Sequence, residues 1–125
     1  MKIVLHSEQD LTLEDGQKEG FEIVTEDSET AFGALQMFGA SLALCTFSVL
    51  VAYGEQIHAG LEGSSVRVRW EYVEEPYRVG HIDMDIVWPG LPGSRVEAAK
   101  RAASLCTIHN TLLHPPQVQT QVRLK

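Results

Sequence analysis

Between Thr30 and Gly54 the chain carries no charged side chain, and before Arg67 it carries no arginine. Cysteine is scarce, with two residues in 125. That excludes a small disulfide-stapled scaffold, and a domain of this length buries roughly two-thirds of its surface without such staples. Positive charge is in deficit: 10 Lys and Arg stand against 17 Asp and Glu, a net charge of −7. An acidic chain repels phosphate backbones and anionic lipid, so neither nucleic acid nor a membrane surface is expected as a partner. A Gly-rich phosphate loop, a serine nucleophile elbow and a helical His-Glu-x-x-His are all missing. No apolar run follows Met1, because Lys2, Glu8 and Asp10 interrupt it. The expectation is a chain without an export signal, working in a reducing cytoplasm.

What is present is globular. Hydrophobic residues make up 44% and charged residues 22%, which excludes a disordered chain. With no linker, repeat or low-complexity tract, residues 1–125 are expected to form a single domain. Lys2 to Ser7 reads as a strand, Glu14-Asp15-Gly16 as a turn, and Gly20 to Thr25 as a second strand. Asp27-Ser28-Glu29-Thr30 offers capping oxygens for a helix running through the uncharged stretch. That stretch approaches the length of a membrane span, but Gln36, Ser41, Thr46 and Ser48 dilute it and acidic residues flank it. A helix apolar on every side is one buried on every side. A domain this small cannot surround it alone, so a second subunit is expected against it.

After a helix stop at His58-Ala59-Gly60, where Gly60 can adopt the left-handed cap, Ser65 to Val73 alternates strictly, with Val66, Val68, Trp70 and Tyr72 on one face. Arg78 to Trp88 alternates again and pairs with it as a hairpin. Ser94 is placed to cap an Ala-rich helix over 96–103, and a short helical turn from Cys106 to His114 ends at Pro115-Pro116. Val118 to Leu124 reads as a last strand. The expected order is β-β-α-β-β-α-α-β, an α+β fold.

Any chemistry in this chain is expected to run through sulfur. Cys45 lies in the middle of the uncharged helix and Cys106 lies 61 positions further on. A free cysteine is among the most buried residue types, so the plain reading of each is a packed small hydrophobe. Reactivity needs a thiolate, and a mid-helix position supplies no dipole to stabilise one; a partner side chain has to do so. His109 follows Cys106 by three positions, which puts both on one helix face. The pair suits a thiol–imidazole contact, but a lone Cys-x-x-His lacks the second pair a zinc site needs, and an ordinary packed histidine is the simpler reading. No metal or other cofactor is called for.

The arrangement of these residues resembles a known family. Gly33-Ala34-Leu35-Gln36-Met37-Phe38-Gly39-Ala40-Ser41-Leu42-Ala43-Leu44-Cys45 resembles the first signature of the OsmC/Ohr proteins, a Pro-x-Glu-Leu segment leading through a small-residue helix to a cysteine. Ser104-Leu105-Cys106-Thr107-Ile108-His109-Asn110-Thr111-Leu112 is similar to the second, Cys-Pro-Val-His-x-Thr-Leu. The resemblance covers residues 20–125 and implies a two-lobed α+β fold in an intertwined homodimer, with long buried helices at its centre. By that resemblance Cys45 is the peroxidatic cysteine and Cys106 the resolving one. The substrate is an organic hydroperoxide, and an external thiol restores the enzyme.

The chain departs from the pattern in three places. Gln36 or Leu35 stands where the family has a Glu, Thr107 replaces the Pro, and the N-terminal Arg has no counterpart. Gln36 supports the site only through neutral hydrogen bonds. It also lies nine residues before Cys45, on the opposite side of a straight helix and about 13 Å away along the axis. Two other functions remain open beside the peroxidase: a protein of the same fold that binds a small apolar or thiol-reactive ligand at the dimer interface, and a structural dimer whose cysteines merely pack.

Overall fold

The computed structural model describes residues 1–125. Five strands, β1 (Lys2–Ser7), β2 (Asp10–Glu14), β3 (Glu22–Thr25), β4 (Ser65–Val73) and β5 (Arg78–Val87), form one sheet in the order β3-β1-β2-β4-β5. The β1–β3 pair is parallel and the other three pairs are antiparallel, so the sheet is mixed. Three helices complete the α+β architecture: α1 (Ala34–Ile57), α2 (Val96–Ala103) and α3 (Thr107–Leu113).

Period-two alternation sends one row of side chains from every strand to the helical side. Ile23, Ile3, Leu13, Val66 and Ile86 pair in register across the whole sheet, and Leu5, Leu11, Val68 and Met84 form the next row. Ile3, Leu5, Leu11, Leu13, Val66 and Val68 are fully or almost fully buried. Each such side chain contributes about 1.5–3 kcal/mol by leaving water. The opposite face is polar. There Arg67 of β4 holds Asp10 of β2 in a two-pronged ion pair, with N–H···O distances of 2.8 and 2.6 Å.

Helix α1 lies along the apolar face. Gln36, Gly39, Ala40, Ala43, Thr46, Phe47, Leu50 and Gly54 recur at helical spacing and are buried. Gly39 sets the approach: a methyl group there would sit 2.6 Å from the Trp70 ring. The helix is long and apolar enough to cross a membrane by length and composition, yet this stripe packs on the sheet. The reverse side of α1, with Met37, Ser41, Ser48 and Ala52, is exposed, so one chain buries the helix along a stripe and not all round.

Several local expectations are corrected. Residues 10–14 form β2, a strand whose inward residues are only Leu11 and Leu13, too short a pattern to stand out. The Asp27–Thr30 cluster does not start α1; the Asp27 carboxylate accepts from the Glu29 amide in a turn, and the helix begins after Gly33. The helix stops within His58-Ala59-Gly60 as expected, but His58 and not Gly60 takes the left-handed conformation, while the Ala59 amide closes back on the Gly54 carbonyl. Ser94 lies inside a 3₁₀ turn (Gly93–Arg95) and does not cap α2. Val118 to Leu124 forms no strand, so the order is β-β-β-α-β-β-α-α.

Candidate functional site

Two helices bring the sulfurs together. Helix α3 packs against α1, and Cys106 occupies the residue that caps α3, where its sulfur accepts the His109 amide at 3.4 Å. The first amides of any helix lack intrahelical partners. Here those of Thr107 and Ile108 point at Cys45, which also lies within hydrogen-bonding reach of the Cys106 thiol. Both cysteines are free. Cys106 is fully buried and Cys45 is half-buried, so an approaching reagent meets Cys45 first.

Their acidities diverge. Burial pushes the Cys45 thiol up, but hydrogen bonds from the Cys106 thiol and from the Ile108 and Thr107 amides outweigh it and hold Cys45 below the ordinary thiol range. Burial pushes Cys106 up, and its hydrogen bond to Cys45 adds to the shift, against a smaller opposing contribution from the His109 amide. Of the two thiols Cys45 therefore gives up its proton first, while Cys106 keeps the proton that it donates toward Cys45. Thr107 matters in this balance, because the Pro that the family pattern carries there has no N–H to give.

Gln36 stands apart from the cysteines within the chain. Its side-chain oxygen accepts the Gly33 amide at 2.8 Å and its amide group donates to the Glu8 carbonyl at 2.7 Å. Helix α1 runs unbroken through Gly39, so the separation that helical geometry dictates persists. Gln36 caps the helix and ties it to the β1–β2 turn. Arg67, the first arginine of the chain, is on the far side of the sheet and bound to Asp10. The groups that lower Cys45 are therefore neutral donors.

His109 offers its main-chain N–H to Cys106; its ring Nδ1 is buried without a hydrogen-bond partner, and the residue lines a cleft. That cleft, of about 490 Å³, lies between β5 and α3 and is lined by Leu42, Val79, Ile82, Met84 and Leu112. A second apolar cavity of about 470 Å³ continues past His109 and Met84 toward Trp88 and Ala103. Leu42 stands one helical turn before Cys45, so the cleft opens beside the cysteine pair. The sequence marks His109 but not Met84, whose sulfur accepts the buried Thr46 hydroxyl at 3.5 Å. Nothing local in the sequence distinguishes that methionine from any other core residue.

The family described as OsmC-like protein matches residues 26–121, most of the chain. The chain belongs to the OsmC-like proteins. Two solved structures share the fold. One is an OsmC-like hydroperoxide resistance protein from Jannaschia sp. CCS1, at 20% identity and a TM-score of 0.61, over 79% of this chain and 71% of that one. The other is a protein from Psychrobacter arcticus 273-4 described as an osmotic stress induced and detoxification response protein. It is 18% identical, with a TM-score of 0.60 over 67% of this chain, and the match spans 62% of its own length. No curated protein matches the chain in sequence. Both cysteines of this OsmC-like protein fall inside the matched residues, as do Gln36 and His109.

Proposed function

We propose that this OsmC-like protein is a thiol-dependent peroxidase that reduces organic hydroperoxides. The single observation behind the proposal is the Cys45–Cys106 pair, in which the more accessible sulfur has the lower proton affinity and the buried one is its hydrogen-bond donor. The Cys45 thiolate attacks the distal oxygen of the hydroperoxide, the O–O bond breaks, and the departing alkoxide takes a proton to leave as alcohol. Cys45 becomes a sulfenic acid. The Cys106 sulfur then attacks Cys45, hydroxide departs and takes the thiol proton as water, and a disulfide forms. An external dithiol in a reducing cytoplasm returns both thiols. The description of the Jannaschia neighbour as a hydroperoxide resistance protein supports the same reading.

The test is consumption of cumene hydroperoxide with dithiothreitol as reductant. The wild type is expected to turn over, Cys45→Ser to be inactive, and Cys106→Ser to accumulate sulfinic acid at Cys45. Equal, slow consumption by wild type and Cys45→Ser overturns the proposal.

A second reading draws on the apolar cleft that Leu42, Met84, Leu112 and the partly polar His109 line. A small apolar ligand with one hydrogen-bonding group fills such a site. Under this reading an environment-sensitive apolar dye binds equally to wild type and Cys45→Ser, and peroxide turnover is negligible in both.

A further inference from the structure

Helix α1 carries three serine and threonine hydroxyls, and two of them fold back on the helix itself. Ser41 donates to the Phe38 carbonyl at 2.8 Å, and Ser48 donates to the Leu44 carbonyl at 2.9 Å. That is the ordinary resting place of a hydroxyl inside a helix. Thr46 departs from it. It is fully buried, and its hydroxyl turns away from the helix to the Met84 sulfur of β5 at 3.5 Å. A thioether is a weak acceptor, and a valine of the same shape fills this place with no polar group to bury. What the hydroxyl adds here is a hold on Met84.

The held methionine sits at a boundary. Leu42, Thr46 and Leu50 recur every four residues along one stripe of α1, and Ile82, Met84 and Ile86 recur every second residue along the apolar row of β5. Leu42 and Ile82 line the first apolar cavity, of about 490 Å³, while Leu50 and Ile86 line the second, of about 470 Å³. Met84 lines both, and His109 of α3 is the one other residue that does so. The cavities therefore abut end to end, roughly 12 Å from the Leu42 level to the Leu50 level by helical rise. His109 is the fixed member of the boundary, because its main-chain N–H is bound to the Cys106 sulfur. Met84 is the movable one. Its side chain is unbranched, with three rotatable bonds, and a single weak hydrogen bond holds it.

We propose that Met84, held by Thr46, is a partition that sets the length of hydrocarbon the site accepts. The proposal rests on the peroxidase reading for the kind of ligand, an organic hydroperoxide, and adds which tails are admitted. A compact branched or aromatic tail occupies a single cavity and leaves the partition in place. A long unbranched tail spans both cavities, and to do so it turns Met84 aside and breaks the bond from Thr46. Compact hydroperoxides are therefore favoured over long-chain ones, by as much as that displacement costs. Met84 determines specificity, and Thr46 is a positioning residue that acts through it.

Alcohols carry no O–O bond, so their binding reads the partition independently of peroxide reduction. The measurement is displacement of anilinonaphthalene sulfonate from the full chain by hexanol and by dodecanol, well below the unfolding temperature of each variant. The readout is the ratio of dodecanol affinity to hexanol affinity. That ratio is expected to rise at least about threefold in Thr46→Val, where loss of one weak hydrogen bond frees Met84. Thr46→Ser keeps the hydroxyl and is expected to keep the wild-type ratio. Met84→Ala opens the boundary and is expected to raise the ratio about tenfold, the gain from burying further methylene groups. Met84→Ile places a stiff β-branched side chain there and is expected to lower it. In turnover, Thr46→Val is expected to lower KM for a long-chain hydroperoxide relative to cumene hydroperoxide, without a matching change in kcat. If the alcohol ratios move as stated while the wild type reduces no peroxide, the peroxidase reading falls and the partition stands. A ratio unchanged in Thr46→Val, a Thr46→Ser variant that behaves as Thr46→Val, or a wild type from which neither alcohol displaces the dye overturns the partition. The pair of variants at position 46 decides the matter alone should a variant at position 84 fail to fold.

Discussion

Cys45 and Cys106 touch across the α1–α3 contact with opposite acidities, one lowered and one raised, and the thiol of the second is a hydrogen-bond donor to the first. The groups that lower the Cys45 thiol include no cation. The lowering comes from one S–H and the opening amides of a short helix, set against the cost of burial.

Reactivity with iodoacetamide follows. Cys45 is expected to label first, with a rate that rises with pH to a midpoint below that of a free thiol, while buried Cys106 labels only on unfolding. Peptide mass spectrometry across a pH series measures both. The stability corollary has a definite sign. A group whose value is depressed on folding contributes stability above its unfolded value and loses it as pH falls through the folded one. The stability of the wild type relative to Cys45→Ser is therefore expected to decline toward acid within that window.

Cys106→Ala removes the donor and leaves Cys45 facing the two amides alone. The midpoint of Cys45 alkylation is expected to move up toward the ordinary thiol range, and the labelling rate at neutral pH to fall. A midpoint unchanged from wild type contradicts this role of the Cys106 thiol.

Thr107→Pro is a sharper probe. Cys106 already holds φ −58° and ψ 132°, a conformation suited to the residue before proline, and the first helical position tolerates proline. The fold is expected to persist with an unchanged melting temperature within a few degrees, an order of magnitude set by helix-terminal effects of about 1 kcal/mol. The alkylation midpoint of Cys45 is expected to rise, because one N–H has gone.

Gly39→Ala is expected to destabilise the fold by about 1–3 kcal/mol, because the added methyl meets a rigid, buried indole. The intrinsic helix preference of Ala, about 1 kcal/mol, does not offset that overlap. Gly93→Ala, where a methyl meets nothing within 4 Å, is the control and is expected to be close to neutral. Thermal unfolding of the two variants checks the difference.

The β4–β5 hairpin was legible because Val66, Val68 and Trp70 alternate with Arg67, Arg69 and Glu71 over a long run, and a single face is buried. Strand β2 was not, since two leucines in five residues do not make a period. Gln36 illustrates a different limit. Its residue type suits a polar site, but the Gly33 amide and Glu8 carbonyl that occupy it converge only once β1, β2 and α1 have packed. The cysteines were marked by resemblance as partners, whereas their contact depends on how α3 docks on α1, which no local spacing encodes. The carboxyl-terminal alternation misled: residues 118–124 pair with no strand, because alternation alone supplies no partner edge.

The ion pair between Arg67 and Asp10 joins residues 57 apart in the chain. It fastens β4 to β2, and the β4–β5 hairpin meets the N-terminal strands only through that seam. During synthesis the first three strands therefore emerge with one margin open and must wait for the whole of α1 and the hairpin behind it. Closure of that seam is a late, slow event by its large loop, and until it happens the β2 edge stays unpaired.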